Sequence, residues 1–278
     1  MISRPAYAKI NLTLDVVGRR DDGYHLLETV MQTVSLCDTV SVEKADGIEI
    51  ICSAEGVPTD ERNTCHKAAR LFYEQTKTDG GVRIIIDKKI PSEAGLGGGS
   101  ADAAAVLCLM NELYDAKLSY AELEDIAAKV GADVAFCVQG GTAICRGIGE
   151  EMERIGGLEK RYVLLIKPGF GVSTPEAYKR FDESGLKSAN ATADFVKALE
   201  NGGNPYEHLS NDLESALQNI EIAKIRRQLM ELGAEAAQMT GSGSCVFGLF
   251  LTEESAERAR RQINTTGKYP FCELCETI

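Results

Sequence analysis

The sequence contains no tryptophan, seven prolines and three histidines, at positions 25, 66 and 208. So little imidazole, with one lone C-x-x-C at Cys272 and Cys275, gives no basis for a structural metal centre, and no metal ligands are assigned. It also lacks a sustained Lys/Arg block and carries a formal net charge of −12, which excludes general attraction to nucleic acid or an anionic membrane. An anionic small molecule must be held by local groups. The opening "MISRPAYAKINLTL" has no basic segment leading into an apolar one, and no later run approaches the roughly 18 uncharged apolar residues of a membrane helix. A cytoplasmic protein is expected. The nine cysteines are odd in number and lie mostly in apolar segments, as reduced, buried thiols do. There is no internal repeat and no low-complexity segment.

What is present is ordinary for a globular protein: 278 residues, 44% hydrophobic and 26% charged. Ile10, Leu12, Leu14 and Val16 alternate with Lys9, Asn11, Thr13 and Asp15, the period of a half-buried strand. "LLETVMQTVSL", "DTVSVE" and "GIEIIC" read as further strands of an antiparallel sheet. Asn63 is placed to cap a helix through "TCHKAARLFYEQTK", "VRIIID" returns to strand, and Ser119 with Glu122 forms a capping box ahead of a helix that Gly131 ends. Residues 150–160 turn polar, so a domain boundary is expected near Gly157, giving domains 1–157 and 158–278. Beyond it, helices are expected near 175–183, 190–200 and 221–232, a strand pair around "TGSGSCVFGLFL", a helix through "EESAERARRQI" and a last strand. Strands and helices mix without strict alternation, which predicts an α+β architecture in both halves.

"IPSEAGLGGGSADAAAVLCLMN" sets Gly95, Gly97, Gly98 and Gly99 directly before an apolar run. Glycine loses the most backbone entropy on folding, so the cluster implies backbone with φ > 0 or the close approach of something large. With Ser100 as the cap of a helix reaching about Leu113, free N–H groups and the positive end of the helix dipole converge on these glycines, an anion site suited to phosphate. A turn needed only for close packing is the alternative. No Gly-Lys-Ser/Thr follows, so this is not a Walker loop, and Ser100 breaks G-x-G-x-x-G.

"PSEAGLGGGSADAAA" resembles the phosphate loop of the GHMP kinases, the family of galactokinase, homoserine kinase and mevalonate kinase. "AYAKINLTLDVVGRRDDGYHLLETVMQ", "GADVAFCVQGG" and "MTGSGSCVFG" agree with other motifs of that family, in its order and across both halves. The resemblance implies a two-domain fold, an N-terminal half like ribosomal protein S5 domain 2 and a ferredoxin-like C-terminal half, with the active site in the cleft between them. It also implies ATP with Mg²⁺ as phosphoryl donor and a small-molecule acceptor, methylerythritol linked to cytidyl diphosphate, phosphorylated on its 2-hydroxyl. A monomer or weak homodimer is expected.

Residue by residue, the resemblance gives Pro91, Gly95, Leu96, Gly97, Gly98, Gly99, Ser100 and Ala101 to the ATP phosphates. Glu93 and Ala101 depart from the small residue and the second serine of the motif. Asn63 matches a position near adenine, although a helix cap explains it equally well. Asp133 is implied as the base that takes the acceptor proton and Lys9 as its partner; without the resemblance a helix cap and a solvated strand lysine serve as well. Tyr24 offers a flat face to a pyrimidine and His25 offers nitrogens to its polar edge. Tyr178 is implied as the second aromatic, Asn11 as a contact to the erythritol part, and Gly241 and Gly243 as positions of close approach to substrate, where a tight hairpin also needs glycine. His66 and His208 receive no role, and Lys88 and Lys89 read as a solvated pair at a strand end.

Overall fold

The computed structural model describes residues 1–156 and 158–278, so the boundary expected at Gly157 lies outside the described residues. In chain order the elements are β1 (Ile2–Arg19), β2 (His25–Ala45), β3 (Glu49–Cys52), α1 (Thr64–Thr76), β4 (Gly81–Asp87), α2 (Gly98–Leu113), α3 (Tyr120–Val130) and α4 (Ala132–Gln139). There follow β5 (Thr142–Arg146), β6 (Glu151–Arg154), β7 (Tyr162–Lys167), α5 (Thr174–Ser184), α6 (Ala191–Glu200), a 3₁₀ turn (Pro205–His208) and β8 (Ser210–Asn211). The chain closes with α7 (Asp212–Leu217), α8 (Ile220–Glu231), β9 (Ala236–Met239), β10 (Val246–Phe250), α9 (Glu253–Asn264) and β11 (Phe271–Glu276). Among the described residues no helix is long and apolar enough to cross a membrane.

Two compact units emerge, each assembled from separated segments, and the long strands β1 and β2 contribute to both. The first comprises Met1–Lys9, Leu36–Pro91 and Gly97–Gly140. Here β4 pairs antiparallel with β2, Thr39 opposite Asp87, and parallel with β3, Ile50 opposite Ile84. The expectation of a purely antiparallel sheet is therefore corrected, because α1 intervenes between β3 and β4 and returns the chain in the same direction. α2 is buried all along from Ala101 to Leu107, Asp102 included, as expected of a helix packed by both α1 and α4. Its alanines keep those neighbours close.

The second unit comprises Ile10–Ser35, Ser92–Leu96 and Gly141–Ile278. The hairpin β5–β6 lies on β2, Thr29 opposite Cys145. A four-stranded antiparallel sheet, ordered β11-β7-β10-β9, carries an apolar cluster, with Leu164 and Ile166, Phe250, Ile225 and Leu229 of α8 and Ile263 of α9 all buried. β8 adds to β1 in parallel, Thr13 opposite Ser210.

Two expectations about strands change. The residues read as two strands after the first turn form one continuous strand, β2, 21 residues long. β1 is not half-buried: Lys9, Asn11, Thr13 and Asp15 are as buried as the apolar residues between them. Burial of a polar row costs little only when each group is partnered, and distant segments supply the partners. The Asp15 oxygens accept the N–H groups of Ala191 at 3.0 Å and Thr192 at 2.7 Å, capping α6, whose own cap residue Asn190 offers no side-chain bond. Thr13 Oγ1 meets Thr192 Oγ1 at 2.7 Å.

Candidate active site

The glycine loop is held from two directions. Along 92–96, the N–H of Cys245 donates to Ala94 O at 3.2 Å and Thr240 Oγ1 donates to Gly95 O at 3.1 Å. A Cβ on Gly95 would fall 2.0 Å from Thr240 O, so only glycine fits there. Glu93 holds φ +51, and its carboxylate lies against the bare backbone of Gly171. At the other end α2 starts at Gly98, with Gly97 as a left-handed cap (φ +69) and no side-chain cap bond. This corrects the assignment of Ser100 as cap: Ser100 is the third helical residue. A glycine turn can start the helix by itself, which leaves the N–H groups of Gly98, Gly99 and Ser100 without side-chain partners from a cap and at the positive end of the helix dipole. Ala101 lies one residue further along and its N–H already donates to Gly97 O, at 2.8 Å. Pro91 precedes the loop, and Leu96 is buried within it as an apolar anchor.

Lys9 runs behind Gly97, close enough that a Cβ on that glycine would lie 3.0 Å from Lys9 Cγ and 3.1 Å from Cε. The lysine is 4% exposed, and its Nζ lies 3.3 Å from Asp133 Oδ2, whose side chain is 32% exposed. Asp133 sits in the first turn of α4, where free N–H groups also favour a carboxylate. The pair thus joins a buried ammonium to a carboxylate that solvent or a ligand can reach. Asn63 caps α1 as its position predicts, Oδ1 accepting Cys65 N at 2.8 Å and Nδ2 donating to Pro58 O at 2.6 Å. Thr64 Oγ1 donates to Gly99 O at 2.9 Å and ties α1 to the loop.

In the second unit, Asn11 N donates to Thr240 Oγ1 at 3.0 Å and Asn11 Nδ2 to Thr29 Oγ1 at 2.9 Å. Gly241 and Gly243 have φ of +54 and +87, and Cβ atoms there would lie 3.1 Å from Gly95 O and 2.5 Å from Met239 Sδ. The tight turn therefore needs these glycines for its own packing. His25 stacks on Tyr178 at 4.6 Å and 15° between planes, and its Nε2 meets Asp182 Oδ1 at 2.7 Å. An ionised carboxylate only accepts, so Nε2 carries the hydrogen in this pair, and in the neutral ring Nδ1 is then the acceptor. Tyr24 stands 62% exposed. His25 and Tyr178 are thus brought together ring on ring, with Tyr24 displayed to solvent.

Sequence reasoning missed Thr240, Asp182 and one charge cluster. Lys88 is not a solvated strand-end lysine: its side chain is buried and bonds Asp38 and Asp102. Asp102, a charge among the alanines at the start of α2, was the signal that could have found it. Burial raises the Asp102 pKa to about 7, against the lowering pull of Lys88 and with a further rise from Asp38. Among the described residues no group of three His, Cys, Asp or Glu side chains gathers to hold a metal ion.

Comparison with known proteins places this geometry in context. The family model for the GHMP kinases N terminal domain matches residues 63–141, and that for the GHMP kinases C terminal domain matches residues 190–268. The chain is 44% identical over 280 residues to a 4-diphosphocytidyl-2-C-methyl-D-erythritol kinase of Clostridium novyi, covering 98% of this chain and 99% of that protein. It is 44% identical over 252 residues to the kinase of the same description from Clostridium botulinum (strain Alaska E43 / Type E3), covering 88% and 89%. A solved 4-(cytidine 5'-diphospho)-2C-methyl-D-erythritol kinase superposes with a TM-score of 0.81 at 33% identity, over 99% of each chain.

Proposed function

Because the chain belongs to the GHMP kinase family, we propose that it is a cytoplasmic kinase moving the γ-phosphoryl group of Mg-ATP to the 2-hydroxyl of 4-diphosphocytidyl-2-C-methyl-D-erythritol, within the non-mevalonate route to isoprenoid precursors. Residues 1–157 serve the nucleotide and residues 158–278 complete substrate binding. The observation that carries phosphoryl transfer is the buried Lys9 ammonium 3.3 Å from the half-exposed Asp133 carboxylate.

Phosphoryl transfer asks mainly for positioning and charge compensation. The N–H groups of Gly98, Gly99 and Ser100 bind phosphate oxygens. The Ser100 hydroxyl, in the first turn of α2, fits a magnesium ion that arrives with the triphosphate and supplies charge neutralisation there. Asp133 takes the proton of the 2-hydroxyl as that oxygen bonds the γ-phosphorus. The bond from the γ-phosphorus to the bridging oxygen breaks, and ADP leaves with that oxygen. Lys9 orients Asp133 and offsets charge building on the attacking oxygen. Asn11 contacts the erythritol part, the aromatic groups Tyr24 and Tyr178 hold cytosine, and His25 Nδ1 accepts from the exocyclic amine, which cytosine has and uracil lacks.

The test is a comparison of acceptors with purified protein and Mg-ATP: the cytidyl-linked alcohol, the same alcohol phosphate without its nucleoside, mevalonate and homoserine. The cytidyl-linked alcohol should lead, and loss of the base should lower kcat/KM about 5- to 150-fold from stacking alone. Preference for mevalonate or homoserine would overturn the substrate assignment.

A further inference from the structure

In the second unit, α5 ends on two acidic residues, Asp182 and Glu183, with no basic residue in its last turn. A carboxylate there faces the negative end of the helix dipole, so something outside the helix must favour it. Glu176 and Glu183 pair along α5 with Arg180 and Lys179. Asp182 instead reaches across to the turn between β1 and β2: its Oδ1 accepts from His25 Nε2 at 2.7 Å and its Oδ2 from Arg19 Nη1 at 3.4 Å. Tyr178 stands one turn earlier on the same face of α5 and lies flat against the His25 ring. These two contacts fix different things. Stacking sets the plane of the imidazole, yet a half-turn about its Cβ–Cγ bond leaves that plane unchanged and exchanges its edges. Which nitrogen faces α5 is decided by the Asp182 bond. The histidine side chain is 10% exposed, so this bond is largely shielded from water, whereas the Arg19–Asp182 pair joins side chains 59% and 38% exposed and contributes little. Among the described residues no hydrogen bond reaches Nδ1, and that atom is not sealed from solvent.

A lone pair at Nδ1 accepts a hydrogen of the 4-amino group of cytosine and repels the 4-oxo group that uracil carries in its place; a hydrogen at Nδ1 reverses both. We propose that Asp182 is a positioning residue for base recognition: by taking the Nε2 hydrogen it holds His25 in the form that admits a cytidyl group and rejects a uridyl one. The inference rests on the reading that the base of the acceptor lies at His25. To that reading it adds the group that makes the pocket selective, since an imidazole released from Asp182 serves either base. Repulsion of the wrong base adds specificity without adding affinity for the right one. One hydrogen bond made by cytosine and left unmade by uracil discriminates by roughly 5- to 150-fold.

The experiment measures kcat/KM with Mg-ATP for the cytidyl-linked alcohol and for its uridyl-linked counterpart. Wild type should favour the cytidyl compound by about 5- to 150-fold. Asp182→Ala should lose most of that preference, falling on the cytidyl compound and holding or rising on the uridyl one. Asp182→Asn, whose amide oxygen still accepts a hydrogen, should fall between them. Arg19→Met removes the other partner of the carboxylate and should keep the wild-type ratio. A second readout is the nitrogen NMR spectrum of the imidazoles without substrate, at mildly alkaline pH, where an imidazole is ordinarily neutral. The chain has three histidines, so the signal lost in His25→Gln identifies residue 25. It should show the hydrogen on Nε2 in wild type and a mixture of both forms in Asp182→Ala. An unchanged base preference in Asp182→Ala, or the same ring form with and without Asp182, would overturn the proposal. So would an equal loss of preference in Arg19→Met, which would make attachment of the turn the cause. Failure of the substrate assignment looks different: wild type would turn over neither pyrimidine-linked alcohol, and the proposal would fall with it.

Discussion

Replacing Gly97 by alanine probes the loop and the proposed catalytic pair, Lys9 and Asp133, together. At φ +69 an L side chain costs about 1–2 kcal/mol of backbone strain. The added methyl would lie 3.0 Å from Lys9 Cγ and 3.1 Å from Cε, tighter than ordinary contact. The lysine is buried and must move, and its ammonium sits 3.3 Å from Asp133, so displacement weakens that pair by about 1 kcal/mol. The two effects sum to about 2–3 kcal/mol, or roughly 30- to 150-fold in kcat/KM if borne wholly by the active arrangement. Steady-state kinetics with Mg-ATP and the cytidyl-linked alcohol measures this, and a melting curve shows how much strain falls on the fold, at about 2–4 °C in Tm per kcal/mol. Gly99→Ala is the comparison for Tm: its Cβ would meet nothing closer than 3.4 Å, so the melt should hardly move. Wild-type kcat/KM in Gly97→Ala would refute the argument that Lys9 and the loop are mechanically joined.

Three further outcomes follow from the same geometry. Asp15→Ala leaves the N–H groups of Ala191 and Thr192 buried without their acceptor, about 1–3 kcal/mol for each, and should lower the denaturant midpoint markedly. Asp182→Ala frees the His25 ring from its tautomer and should raise KM for the cytidyl-linked alcohol about 5- to 10-fold with little change in KM for ATP; an unchanged KM would remove Asp182 from recognition. The Asp102 pKa is raised from 3.8 to about 7, so the folded chain binds that proton more tightly than the unfolded chain. Wild type should therefore lose stability relative to Asp102→Asn as pH rises from about 4 through about 7, and parallel stability curves across that window would contradict the assignment.

Local signals were legible wherever the partner is close in sequence. Asn63 caps α1, Ser119 and Glu122 close their reciprocal box, and the glycine run opens α2 as its composition demands. The alternation in β1 located a strand but misjudged its exposure, because the groups that satisfy its polar row come from residues 191 and 192 and from Thr240, far along the chain. The same blindness applies to Lys88: a lysine pair after a strand looks solvated until Asp38 and Asp102 fold onto it. Gly95 shows the converse, since its need for glycine comes from the Thr240 carbonyl and not from a ligand alone. Lys9 and Asp133 were singled out through family motifs alone, for no spacing rule joins residues that far apart in the chain, and the fold pairs their side chains.

The mechanism depends above all on the carboxylate beside Lys9, and Asp133→Asn tests it with least disturbance to shape. Phosphoryl transfer to the cytidyl-linked alcohol should fall by about 10²- to 10⁴-fold while Mg-ADP affinity stays near that of the wild type. Turnover at the wild-type rate in that variant, with nucleotide still bound, would contradict the assignment of residue 133 as the proton acceptor.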